Sequence, residues 1–376
     1  MTTSPLDSVR DAIFGREVRK SLSQEGRVPA VDVFRGLAIL TVVLYHGEIL
    51  PYGYLGVDVF FVVSGLLIGR ILVAKWDTPE PFRFPSFFAA RAFKIWPSYY
   101  TMLVVGTGAA YLLYRVERPE MLITIEHWPR YLFFFQNYRG TPHPAFDHVW
   151  SLCVEEHFYV LLPVSMLVLR RITGQKIKPL FFLVGGAIAL GMLGKLAGFR
   201  FGKETYSATH NRIDALAWGV LLAVLVRFKP ELVKKAPRLP LVLAGVVIFF
   251  GALAFDVLAE KRGMPIGDFF HKVILFTLVP FSVFLAILGA YHTDPTKGPL
   301  RGLFWPVRFV AYYSYNWYLW HPVVGPYITK HLGSGVVGSI VYVTLTFALG
   351  VLFTVRVEEP ALVLRNRVLG KAKPKA

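Results

Sequence analysis

VDVFRGLAILTVVLYHGEILPYGYLGVDVFFVVSG, residues 31–65, decides how the chain is read, because it sets charged and polar side chains inside what is otherwise a pair of membrane spans. Arg35 and His46 are its key pair. Eleven positions of α-helix turn the chain through roughly 1,100°, so the two side chains return to within about 20° of one face, roughly 16 Å apart along the axis. One helix then carries a cation near one membrane surface and a titratable imidazole well inside. Ionisable groups inside a membrane are costly enough to mark a functional site by default. Taken singly, Arg35 also fits snorkelling at a helix end, and His46 a hydrogen bond to a neighbouring helix.

The 376 residues are 55% hydrophobic and fall into many long apolar runs. A soluble α/β enzyme of this length is less apolar, so the fold class predicted is an all-α polytopic integral membrane protein. Cys153 is the single cysteine and lies in a predicted span, which excludes an intramolecular disulfide and a cysteine-cluster zinc site; no metal is expected. Residues 1–30 are polar and basic, with no apolar core before a small-residue cleavage site, and read as a cytoplasmic lead-in rather than a signal peptide. A net charge of +17 invites a nucleic-acid partner. Placement argues against one, because basic residues of a membrane protein collect in its cytoplasmic loops.

Ten transmembrane helices are predicted, at about 32–50, 54–75, 96–114, 147–170, 178–198, 211–227, 238–257, 271–291, 309–327 and 335–356. Arg83, Arg91 and Lys94 follow the second span, Arg170, Arg171, Lys176 and Lys178 the fourth, and Lys229, Lys234, Lys235 and Arg238 the sixth. They share a side with Lys297, Arg301, Arg308 and both basic termini, which the positive-inside rule makes cytoplasmic. The loop 115–146 is the exception, external despite Arg115, Arg118, Arg130 and Arg139. Its YLFFFQNY segment is too short to span and reads as re-entrant or interfacial. No internal repeat or separate soluble domain is visible; the membrane domain is 31–360 and a basic cytoplasmic tail is 361–376.

This topology sorts the polar residues by depth. His46, then Ser151, Glu155 and Tyr159 at i,i+4 spacing, then Tyr318 and His321 at i,i+3 spacing, all fall in the outer half. Three helices thus deliver imidazole, carboxylate and phenol to one level. Asp58, Ser64, Arg212 and Asp214 support this set, with Trp150 beside Ser151 and Asp32 one turn before Arg35. Each alone also fits an interhelical hydrogen bond. On the inner side, Arg35, Arg91 and Lys94 suit an anionic ligand, guanidinium binding phosphate at two points and ammonium as a point charge. Ordinary attraction of basic residues to anionic lipid is the other reading of Arg91 and Lys94.

VDVFRGLAILTVVLYH, FFVVSG, RAFKIWP, WSLCVEEHFY, RIDALAWG, YSYNWYLWHP and the closing VEEP, in this order over about 31–360, resemble acyltransferase family 3, the polytopic membrane O-acyltransferases. The resemblance implies transfer of an acyl group from cytoplasmic acyl-CoA to extracytoplasmic carbohydrate, with Arg35 and His46 as the hallmark pair. Lys94 stands where the family usually has arginine, and His157 where it more often has glutamine. The chain resembles the stand-alone form, without a fused hydrolase-like domain.

Thioester-to-hydroxyl transfer needs a base, and histidine suits it at neutral pH. His46 is the expected base, with Glu155 or Glu156 orienting it as the third member of a triad does, and His321 completing the catalytic candidates. No G-x-S-x-G elbow is present. HPAFD, His143 to Asp147, has the H-x-x-x-D form of some soluble acyltransferases but sits in a proline-interrupted external loop. The reading is a multi-pass enzyme of the cytoplasmic (inner) membrane. It takes acyl, most simply acetyl, from acyl-CoA as donor substrate, with no permanently bound cofactor, to a glycan, lipid-linked sugar or glycolipid, in company with the lipid bilayer and glycan-assembly machinery. The alternative is a channel or transporter that moves an acyl group or glycolipid without catalysis.

Overall fold

A computed structural model describes residues 27–78, 82–115, 127–138, 146–299, 301–333 and 335–370, with Leu113 and Tyr114 as backbone only. The lead-in before residue 27, the last tail residues, and most of the 115–146 loop with Arg118, Arg139 and His143 lie outside the described residues.

Long helices form at each predicted span: α1 Pro29–His46, α2 Gly56–Val73, α3 Phe84–Tyr114, α4 Trp150–Thr173, α5 Lys178–Arg200, α6 Thr209–Phe228, α7 Arg238–Lys261, α8 Phe276–Ala290, α9 Arg301–Leu332 and α10 Val336–Phe353, followed by α11 Glu359–Val368. Among the described residues there is no strand. Seven stretches are long and apolar enough to cross a membrane, and the chain is a multi-pass membrane protein. The three that fall short of that measure are α3, α6 and α9. They are the helices that carry Arg91 and Lys94, Arg212 and Asp214, and the Tyr-, Trp- and His-rich run YSYNWYLWH. The polar groups that make them interesting are also what lowers their apolar content.

Helix α2 lies at the centre, packed on α1, α4, α6 and α8. Its approach to α6 is backbone-close: a Cβ on Gly65 would stand 1.9 Å from Leu216 O, and one on Gly219 2.0 Å from Val62 O. Small residues at such crossings let helices meet where lipid offers no hydrophobic drive. Helices α5, α7 and α10 are peripheral and keep apolar faces outward, with Phe182, Val247 and Ile340 exposed. That is the surface a bilayer covers.

Two boundaries differ from expectation in ways that move the site. Helix α3 begins twelve residues before the predicted span, so Arg91 and Lys94 stand inside the helix, not in a loop before it. Pro97 does not end it, since neighbouring helices re-satisfy the backbone group a proline frees. At the other end of the chain, Thr354–Glu358 forms a π-helical turn between α10 and α11. Such widened turns re-aim side chains, and this one ends on Glu358, which faces α3 and α9.

Candidate active site

A cavity of ≈ 150 Å³ opens among α1, α2, α3, α4 and α9. Arg35, Arg91 and Lys94 line it toward the end where α1 begins, Ser64 and Glu155 along its length, and Ser151 and Tyr318 toward the end where α1 finishes. Arg35 donates from Nη2 to Ser314 Oγ at 3.1 Å. Arg91 Nε is buried with no hydrogen-bond partner among the described residues. Lys94 Nζ is paired with Glu358, whose second oxygen accepts from Asn316 Nδ2 at 2.8 Å. Of the three expected anion-binding cations, the ammonium is therefore neutralised by the protein, and the two guanidinium groups are the better phosphate donors.

The carboxylates of α4 are committed elsewhere than expected. Glu155 accepts from Ser64 Oγ at 2.8 Å and Tyr159 Oη at 2.6 Å, and Glu156 accepts from Trp96 Nε1 at 3.2 Å. Neither reaches His46. The triad-like arrangement read from the sequence is corrected: residues at similar depth can face different partners, because depth says nothing about rotation about the helix axis.

What His46 meets is another imidazole. Its Nδ1 lies 3.0 Å from Val42 O and 3.2 Å from His321 Nε2, with ring centroids 4.9 Å apart. His321 is fully buried and holds Trp317 O at 3.1 Å through its own Nδ1. A carbonyl only accepts, so both rings carry their proton on Nδ1, and His321 Nε2 accepts from His46. The lone pair of His46 is then on Nε2. His46 is the last residue of α1 and exposed, so the imidazole expected well inside the membrane stands at the helix end.

Beyond His321 comes His148, buried in the turn before α4 and 5.5 Å away ring to ring. It donates from Nε2 to Leu319 O at 3.2 Å, and its carbonyl accepts Tyr318 Oη at 2.5 Å. Tyr318 also contacts Ser151 Oγ at 2.7 Å. Tyr318 and Ser151 thus separate the cavity from a row of three histidines.

Asp58, Arg212 and Asp214 come together elsewhere, between α2, α5, α6 and α8. Arg212 Nη2 meets Asp58 Oδ1 at 2.5 Å, and Lys195 Nζ meets Asp214 Oδ2 at 2.5 Å, all four fully buried. Four aromatic rings surround the Arg212 guanidinium, Phe276 nearest at 4.7 Å and Trp150 at 5.9 Å. Asp32 is likewise paired, with Arg27 at 2.7 Å and Arg308 at 3.2 Å. None of these groups lines the cavity.

The structure therefore gathers Arg35, Arg91, Lys94, Ser64, Glu155, Ser151, Tyr159 and Tyr318 around one space, sets His46 with His321 just beyond it, and leaves Asp32, Asp58, Arg212 and Asp214 in ion pairs apart. Sequence reasoning missed His148, Lys195, Ser314 and Glu358. The signal for His148 was its i,i+3 spacing to Ser151; Glu358 stood in the quoted VEEP with no hint of its partner. Among the described residues no group of three or more His, Cys, Asp or Glu side chains is placed so that it could hold a metal ion.

The family model described as an acyltransferase domain matches residues 28–355. A Staphylococcus aureus (strain COL) protein named as a candidate O-acetyltransferase is 28% identical over 84% of this chain and 53% of its own length. The peptidoglycan O-acetyltransferase OatA of Listeria monocytogenes is 27% identical over 79% of this chain and 49% of its own. The O-acetyltransferase OatA of S. aureus (strain NCTC 8325) is 25% identical over 84% and 53%. The chain spans about half the length of the curated relatives it matches. No solved structure matches.

Proposed function

Because the chain belongs to acyltransferase family 3, we propose that it is an O-acyltransferase that moves an acyl group, most simply acetyl, from cytoplasmic acyl-CoA to a hydroxyl of an extracytoplasmic glycan, lipid-linked sugar or glycolipid. The single observation that carries this reading is the cavity with guanidinium groups at one end and Tyr318 at the other, with His321 and His46 packed just beyond it. In this reading ten helices span the cytoplasmic membrane with both termini inside, as the basic loops support.

Arg35 and Arg91 hold the phosphates of the donor. The thioester extends along α1 toward His46, roughly 16 Å up the same helix, so the donor stays anchored inside while its acyl group reaches the outer half. His46 Nε2 takes the proton from the acceptor hydroxyl as its oxygen attacks the thioester carbon. The C–O bond forms, the C–S bond breaks, and the CoA thiolate leaves as the thiol by taking the proton that His46 Nε2 received, which returns His46 to its neutral form. His321 holds the His46 ring in the tautomer that leaves Nε2 basic, the orienting task expected of a carboxylate.

Purified protein in liposomes, given acetyl-CoA and a mixture of surface-glycan fragments, tests the proposal. Ester on the glycan is the expected result. Acyl or glycolipid flux with no ester formed would make the chain a transporter instead.

A further inference from the structure

A second, larger cavity of ≈ 600 Å³ lies where α1 finishes, between the segment before α4 and the facing ends of α5 and α6. Its volume is within the range of small-ligand sites. Trp150, Tyr131 and Phe146 give it buried aromatic walls, Tyr138 is 46% exposed beside them, and Asn137 and Asp147 add an amide and a carboxylate. Asn137 is nine-tenths buried and fixed through Nδ2 to Ser207 O at 3.1 Å and Thr209 Oγ1 at 3.0 Å, while its Oδ1 makes no hydrogen bond among the described residues. Tyr138 is steadied by a parallel His210 ring at 5.8 Å.

The position of this cleft gives it meaning. One turn of chain, Asp147 to Ser151, is its common wall with the donor cavity: Asp147 and Trp150 face the cleft, Ser151 the cavity. His148, between them, touches both Tyr318 and His321. A molecule in the cleft is thus brought up to the cavity's far end without entering the membrane from the donor side.

The chemistry of the lining selects its class. A third groove, of ≈ 450 Å³ between α1, α7 and α8, is lined by Phe34, Leu37, Leu50, Phe249 and Phe250 and suits lipid tails. The cleft instead mixes aromatic faces with amide, carboxylate and basic side chains. Sugar rings present apolar C–H faces and a rim of hydroxyls, and this mixture answers both.

We propose that this cleft is the acceptor site and takes a carbohydrate segment, with Tyr138 as a ring platform and Asn137 and Asp147 bonding its hydroxyls. The inference rests on the proposed acyl transfer. Its test replaces the chromosomal copy with Tyr138→Ala, Tyr138→Phe or Asp147→Asn and measures base-labile acetate on the surface glycans of intact cells, together with acetyl-CoA affinity of each purified protein. Tyr138 and Asp147 are both exposed, so these variants keep the fold. Tyr138→Ala is expected to lower glycan acetate about fivefold, Tyr138→Phe to retain it, and all to bind acetyl-CoA as the parent does. Glycan acetate within twofold of the parent in both Tyr138→Ala and Asp147→Asn, with the parent clearly above a deletion strain, would overturn the cleft as acceptor site and leave the transfer reading standing. A parent strain no richer in glycan acetate than the deletion removes both. Loss of acetyl-CoA affinity in Tyr138→Ala would also overturn it, since the residue would then serve the donor.

Discussion

The polar groups buried in this bundle fall into two regions made of similar residue types. Between α2, α5, α6 and α8, Asp58, Arg212, Lys195 and Asp214 stand as two closed ion pairs with aromatic rings filling the space around the guanidinium. Between α1, α3, α4 and α9, Arg35, Arg91 and Glu155 stand around an open cavity. In the first region each charge has an opposite charge as its nearest partner, and none of the four side chains lines the cavity. In the second, Arg35 and Glu155 are held by neutral hydroxyls, of Ser314 and of Ser64 and Tyr159, and line the space beside Arg91. Charge closed upon charge holds helices together; charge held open toward a space is available to a substrate.

The comparison is sharpened most by His46→Ala, which should cut transfer by roughly 10²–10⁴-fold, the range for loss of a general base, while acetyl-CoA affinity stays within about twofold. Ester formation within tenfold of the parent would place the base elsewhere and return His46 to packing. Next in size, Asp58→Ala strands a buried guanidinium and should cost roughly 3–5 kcal/mol of stability, read as a lower unfolding temperature in detergent. Pairing it with Arg212→Met should restore most of the loss. Should Asp58→Ala melt with the parent yet fail to transfer, the ion-pair region belongs to the chemistry and the contrast breaks. Smallest is Arg35→Lys, which keeps the charge but loses the planar fork and should weaken acetyl-CoA binding about tenfold, with turnover at saturating donor little changed. Unchanged affinity would remove Arg35 as the phosphate anchor.

Much of the site was legible because its residues break a rule of membrane sequences. Arg35, His46, Arg91, Glu155 and His321 stand out against apolar runs, and helical spacing places each at a depth. Lys195 did not stand out, since a lone lysine five residues from a helix end reads as snorkelling; only the folded chain shows it fully buried against Asp214, Asn211 O and Phe276 O. Lys94 was legible as a cation but not as a paired one, because Glu358 lies 264 positions away.

By itself the sequence determined that the chain is helical, that it lives in a membrane and which stretches form its long helices, because apolar run length decides these locally. Only the tertiary structure decided which polar groups meet. Rotation of one helix against another is set by packing across the whole bundle, such as the glycine contact of α2 with α6, and it turned Glu155 toward Ser64 and Tyr159 while giving His46 to His321.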